Sequence, residues 1–367
     1  MCFVDWLKKL CLTPAPSGYE IQAACVYRDL IAPYADHMAQ DRAGNIIATV
    51  KGTNSRAPSV MVFAHLDQLG FIVRKIESDG FLQIDRLGGI PEKVLAGIRV
   101  CIRTIQGGYV PGVIGNKSHH ASAPEEKYRV DLITSLYVDI GAQSAAEVRA
   151  MGIEIGCPAV YTPSFVKLGN GCVSGTAMDN RGGVTAMVLA AKLLRSNRPE
   201  STIYFVGSVW EEFNIRGAAL AARYLRPDIA LCLDVILSGD TKDLSSRYES
   251  RLGAGPALNL YTFHGRGTLN GTIAHPGLVR LTREVALREK LPLQSFASLG
   301  MLTDSAYVQM EVQGVACLDL GFSVRYTHSP IETCNVRDVE QLGTLVAATC
   351  SAIQENFDPA RYRVIPD

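Results

Sequence analysis

The sequence has no Cys-x-x-Cys pair, no long uninterrupted apolar run and no excess of charge of either sign. Lysine plus arginine and aspartate plus glutamate are equal, at 36 each. That balance gives no support to a nucleic-acid or anionic-membrane partner. No segment reaches the roughly 18 apolar residues of a membrane helix. The first twenty residues carry Asp5, Lys8 and Lys9 among their apolar positions, so they lack the core of a signal peptide. They read as a short amphipathic helix stopped by Pro14 and Pro16. The ten cysteines are scattered, several inside apolar strand-like runs. This predicts a reduced, cytoplasmic protein with core cysteines. Internal repeats and low-complexity linkers are also lacking.

What is present is an apolar, well-mixed chain of 367 residues, 47 % hydrophobic and 20 % charged. Such a chain is globular, with about two domains. Buried strands are predicted at 45–51, 59–64, 203–206, 229–233 and 316–321, with helices at 19–30, 184–194, 218–225, within 270–289 and at 336–357. Strands alternating with helices give an α/β class. Between about Gly70 and Thr162 the texture changes to short strands broken by glycine and proline, with one helix at 144–151. This reads as a small β-rich insertion. The expected division is 1–70 with 163–367 as one discontinuous domain, and 71–162 as the insertion. Inside the insertion, Asn116–Lys127 is polar and aperiodic, a long exposed loop.

The predicted strands share one feature: metal-competent side chains at their ends. The 203–206 strand leads into Glu211 and Glu212, which on an extended backbone would point in opposite directions. The 59–64 strand leads into His65 and Asp67, and the 229–233 strand into Asp234. His328 follows the 316–321 strand, and Asp179 with Asn180 opens the 184–194 helix where a cap is expected. Singly, each has a commoner meaning: a solvated acidic pair, a surface histidine, a helix cap. Jointly, two imidazoles and several carboxylates without thiolates suit zinc, cobalt or manganese. One catalytic zinc takes about three protein ligands, and this set is enough for two metals sharing a carboxylate.

Several longer stretches carry a resemblance: AHLDQLGF at 64–71, GVIGNKSHH at 112–120, DIG at 139–141, SGTAMDNRGG at 174–183, EEFNIRGA at 211–218, DVILSGD at 234–240, TDS at 303–305 and HSPIETCNVRDVE at 328–340. In this order they resemble the tetrahedral (TET-type) dinuclear metallo-aminopeptidases, which include glutamyl and deblocking aminopeptidases and proteins once labelled endoglucanases. The resemblance implies a zinc-exopeptidase-like mixed sheet sandwiched by helices, with an inserted small β-barrel-like dimerisation domain. It implies two divalent metal ions per subunit, zinc first, with cobalt or manganese as alternatives. Asp179 would bridge them, His65 and Asp234 completing one site and Glu212 and His328 the other. Glu211 would be the general base, and Asp67 would hydrogen-bond and orient His65. Substrates would be short peptides. Dimers would assemble into a homododecamer, with the loop carrying His119 and His120 reaching the substrate or a neighbour's site.

The sequence departs from that pattern at Gln68, Cys157, Phe213-Asn214, Ile236-Leu237 and Leu302, none a proposed ligand. These departures bear on substrate preference and rate. Pocket loops are expected at 253–261 and 321–325. The same metal site would also serve an N-acyl amino acid or amino-sugar deacylase. A glycosidase needs two carboxylates and no metal pair, which leaves His65, Asp179 and His328 without a role. A non-catalytic assembly protein leaves Glu211 without one.

Overall fold

The computed structural model describes residues 2–265 and 271–364. Its centre is four parallel strands, Ile203–Ser208, Val60–His65, Ile229–Leu237 and Ala316–Arg325, in that order across the sheet. Nearly every position in them is buried. Continuous apolar runs of this kind form strands covered on both faces. Antiparallel strands extend the sheet. Ile46–Val50 and His37–Gln40 lie beyond one edge; Glu332–Asn335, Cys172–Gly175 and Phe165–Lys167 lie beyond the other.

Alternation along the strands divides the interior in two. Val60, Val62 and Ala64 join a core closed by the helices Phe3–Cys11, Ile21–Ile31, Met178–Ser196, Pro276–Arg288 and Val336–Ala352. Met61 and Phe63 join a second core under the helix Gly217–Leu225. The mixed sheet is therefore sandwiched by helices, as expected.

Between Val60–His65 and Phe165–Lys167 the chain leaves the sheet. Six strands, Gly70–Ile76, Leu82–Leu87, Val138–Asp139, Tyr109–Ile114, Arg99–Arg103 and Pro158–Tyr161, close in that order into an antiparallel barrel. Phe71, Val73, Ile84, Ile102 and Val138 fill it with a core of its own. The helix Ala145–Ala150 starts at Ser144, whose hydroxyl accepts from the Glu147 amide at 3.3 Å. Asn116–Lys127 is largely exposed and holds only short 3-10 turns.

Several boundaries differ from expectation. The strand expected to stop at Asp234 runs on to Leu237, because Val235 and Ile236 are also buried and pair with Phe322 and Ser323. The last helix ends at Ala352, where Ile353 turns extended. The helix expected within 270–289 spans Pro276–Arg288, and Asn270 lies outside the described residues. Of the expected pocket loops, residues 253–256 are irregular, but the remainder is strand. Ala257–Phe263 is a strand parallel to Gln294–Leu299, and residues 321–325 belong to the Ala316–Arg325 strand. Among the described residues, no helix is long and apolar enough to cross a membrane.

Candidate active site

The four parallel strands point their carboxyl ends at one crevice, where open α/β sheets build their sites. His65 is the last residue of its strand, and Asp234 sits near the end of its own. Glu211 and Glu212 follow Ile203–Ser208, and His328 follows Ala316–Arg325. Asp179 enters from the helix side. Ala177 is left-handed at φ 57°, and Asp179 and Asn180 are non-helical, joined by a cis peptide. Regular helix begins only after Asn180, whose Oδ1 accepts from the Gly183 amide at 3.0 Å while its Nδ2 donates to Leu233 O at 2.6 Å. Asn180 is the cap, and Asp179 is freed for the crevice. Close packing here requires glycine: a Cβ at Gly182 would lie 2.2 Å from Phe322 Cζ.

The two glutamates do not lie on extended chain. Trp210 is left-handed at φ 61°, and the Ile215 amide donates to Glu211 O at 2.8 Å, closing a turn. Asp67 dictates this geometry. Its two carboxylate oxygens accept the amides of Glu211 and Glu212, each at 3.0 Å, and Oδ2 also takes the Ser17 hydroxyl at 2.7 Å. Both glutamate side chains therefore enter the same crevice rather than diverging. The expected bond from the Asp67 side chain to His65 takes another form. His65 Nδ1 lies 3.1 Å from the Asp67 carbonyl but 3.6 Å from its carboxylate.

The six expected ligand and base residues converge. His65 Nε2 is 3.0 Å from Asp179 Oδ1, 3.9 Å from Asp234 Oδ1 and 4.0 Å from Glu211 Oε2. His328 Nε2 is 3.8 Å from Asp179 Oδ2. Donor atoms of His65, Asp179 and Asp234 lie within 4.8 Å of one another, and so do those of Asp179, Glu212 and His328. His328 Nδ1 is 2.7 Å from the carbonyl of Gly89, a residue contributed by the barrel segment. All six line a cavity of about 480 Å³. Asp67 is fully buried behind it, and His119 and His120 are exposed and do not line it.

Crowding sets the electrostatics. Burial, reinforced by the neighbouring acids, pushes the carboxyls of Glu211, Glu212 and Asp234 well above the carboxylate range. Burial works against a charged His65, but Glu211, Asp179 and Asp67 outweigh it and hold the imidazole well above its ordinary value. Burial also opposes ionisation of Asp67, yet His65, Ser17 and the Glu211 amide keep it below its usual value.

Two participants were not anticipated. Glu332 Oε2 accepts the Asp179 amide at 3.0 Å, and Oε1 accepts the His328 amide at 2.8 Å. It was legible only as one letter of the stretch after His328. Arg181 is buried under the site, donating to the carbonyls of Leu66 and Thr13 and, at 3.4 Å, to Gln68 Oε1. Of the departures from the family pattern, Asn214, Leu237 and Leu302 line the cavity.

A helix-sandwiched sheet, a closed barrel and an acid-lined crevice at the strand ends define a peptidase with the fold of the TET aminopeptidases. Residues 44–345 match the family described as M42 glutamyl aminopeptidase, and the chain belongs to that family. It is 36 % identical over 354 residues to the putative aminopeptidase SgcX of Escherichia coli, covering 96 % of this chain and 93 % of that one. An aminopeptidase from the archaeon Desulfurococcus kamchatkensis superposes with a TM-score of 0.90 at 32 % identity, over 96 % of this chain and 95 % of that one. The Pyrococcus horikoshii TET1 peptidase, which assembles into a tetrahedron or a large octahedral shell, superposes at 0.82 with 28 % identity, over 95 % and 98 %. The protein is an aminopeptidase.

Proposed function

We propose that the crevice takes two divalent cations, zinc first, with cobalt or manganese accepted by the same nitrogen and oxygen donors. His65 and Asp234 would hold one, Glu212 and His328 the other, with Asp179 shared. The observation that carries this reading is the orientation of the two imidazoles. Each directs Nδ1 at a backbone carbonyl, which only accepts, so Nδ1 carries a proton and Nε2 is the nitrogen turned towards Asp179, free to ligate once a cation replaces any proton on it. His65 Nε2 and the Asp179 carboxylate lie 3.0 Å apart, and the positive charge between them can be the proton of an imidazolium or, in its place, a divalent cation. Carbonyl-anchored histidines are the arrangement that metal ligands adopt. Glu212 Oε1 is also buried without a hydrogen-bond partner among the described residues.

When bound, such ions polarise a carbonyl and make water acidic at neutral pH. The chain supplies the rest. Glu211 takes a proton from the attacking water and delivers it to the leaving amine. Asp67 and the turn it pins keep Glu211 beside His65. The substrate is a short peptide whose α-amino group enters among the carboxylates. Beyond the acids and histidines, the walls include Val235, Leu237, Met301 and Leu302, with no lysine or arginine among the described lining residues. The apolar walls support an apolar N-terminal side chain.

In this reading residues 1–70 and 163–367 form the catalytic unit and 71–162 the dimerising insertion. The assembly of the Pyrococcus horikoshii relative supports a closed homododecamer, which restricts entry to short or unfolded chains. Ten free thiols support a reducing, cytoplasmic setting. The deciding experiment is metal analysis of the purified protein alongside release from aminoacyl-p-nitroanilides, with and without EDTA. Two ions per subunit and EDTA-sensitive release of apolar residues are expected. One ion at saturation, or turnover indifferent to EDTA, overturns the two-metal reading. A monomer in light scattering overturns the assembly.

A further inference from the structure

Asp179 and His328 come from unrelated parts of the chain, and both stand on irregular backbone. Asp179 lies in the non-helical stretch before its helix, so no helical carbonyl takes its amide. His328 is left-handed at φ 63°, in a turn where Tyr326 is left-handed as well. Neither position is fixed by a regular ladder. Both amides end on one carboxylate, that of Glu332, with one oxygen each.

Glu332 is itself well anchored. It opens the strand Glu332–Asn335 opposite Gly175 and is 2 % exposed. Its side chain therefore forms a rigid strut between sheet edge and crevice. Asp67 does the same for Glu211 and Glu212 on the far side. Each of these two carboxylates holds a pair of site residues by the backbone and leaves their side chains free.

We propose that Glu332 is a positioning residue that sets the spacing of Asp179 and His328, and so the cation affinity of the half-site those residues form with Glu212. This rests on the metal reading above. Glu332 touches neither substrate nor reacting atoms. An acid is required because two N–H donors converge on it, and a glutamine side chain offers one oxygen and one NH2. Glu332→Gln therefore keeps the volume and loses one of the two bonds.

The test is cobalt(II) titration of metal-free wild type, Glu332→Gln and Glu332→Ala, followed by absorption and calorimetry, with thermal unfolding of the metal-free proteins alongside. Wild type should fill two sites. Glu332→Gln should bind the ion of the Glu212–His328 half-site about 10- to 100-fold more weakly, the range found for residues that orient ligands, with a smaller loss at the other site, which shares Asp179. Should Glu332→Ala fail to fold, the glutamine variant still decides. Unchanged cobalt affinities at both sites of Glu332→Gln overturn the inference, even with a lowered unfolding temperature, because that is a purely structural role. A wild type that binds no cobalt overturns the proposed function, and this inference with it.

Discussion

Asp67→Asn tests the architecture of the site with almost no change of volume. The Asp67 carboxylate receives three donors: the Ser17 hydroxyl at 2.7 Å and the amides of Glu211 and Glu212 at 3.0 Å. Asparagine keeps one oxygen and puts an NH2 where the other was. The Ser17 hydroxyl can rotate, but a backbone amide cannot, so one of the two amides faces a donor. Leaving a buried N–H unpaired costs about 1–3 kcal/mol. The remaining bonds lose their charge assistance, which halves bonds worth roughly 1.5–3 kcal/mol. The expected loss is about 3 kcal/mol, a sizeable part of the roughly 5–15 kcal/mol that holds a domain folded. Release of one amide also frees the turn that aims Glu211, and a displacement of about 1 Å at a reacting group costs about 10²-fold in rate. Urea unfolding of the metal-free protein measures the first effect, and kcat on an aminoacyl-p-nitroanilide the second. A variant with an unchanged unfolding midpoint and full turnover would refute the claim that Asp67 pins the Glu211–Glu212 turn.

On the proposed two-metal reading, Glu211→Gln should leave metal content and fold unchanged while kcat drops at least about 10²-fold; near wild-type turnover in single-turnover kinetics would contradict Glu211 as the base. Gly182→Ala drives a Cβ to 2.2 Å from Phe322 Cζ in a fully packed region, and should cost about 1–3 kcal/mol in denaturant unfolding. An unchanged midpoint would mean that Phe322 has room to move. Asp240 is opposed by burial but held at about 2 by Arg325, Ser238 and the Leu252 amide. Its folded value is depressed, so its contribution is complete above the unfolded value near 4 and fades as pH falls towards 2. The stability difference between wild type and Arg325→Met should therefore be constant from pH 5 to 7 and shrink below pH 4. A difference that grows on acidification would contradict the pairing.

The apolar runs of the central strands and the change of texture near Gly70 made the α/β class and the β insertion readable from the chain, because a strand buried on both faces must be continuously apolar. The residues that gather in the crevice were readable as well. Histidines and acids at the ends of such strands have few other reasons to recur, and six of the residues named from the sequence meet around one cavity. The backbone that aims them was not readable. The Glu211–Glu212 turn looks like a strand end until Asp67 takes both amides. Asp234 looks terminal until the partner strand Ala316–Arg325 carries its own strand on to Leu237. Glu332 and Gly89 reach His328 through contacts of one oxygen each, and no periodicity records those. Burial is a property of many residues in register, so it leaves a pattern in the sequence. A hydrogen bond between residues far apart in the chain leaves none, and only the folded chain decides it.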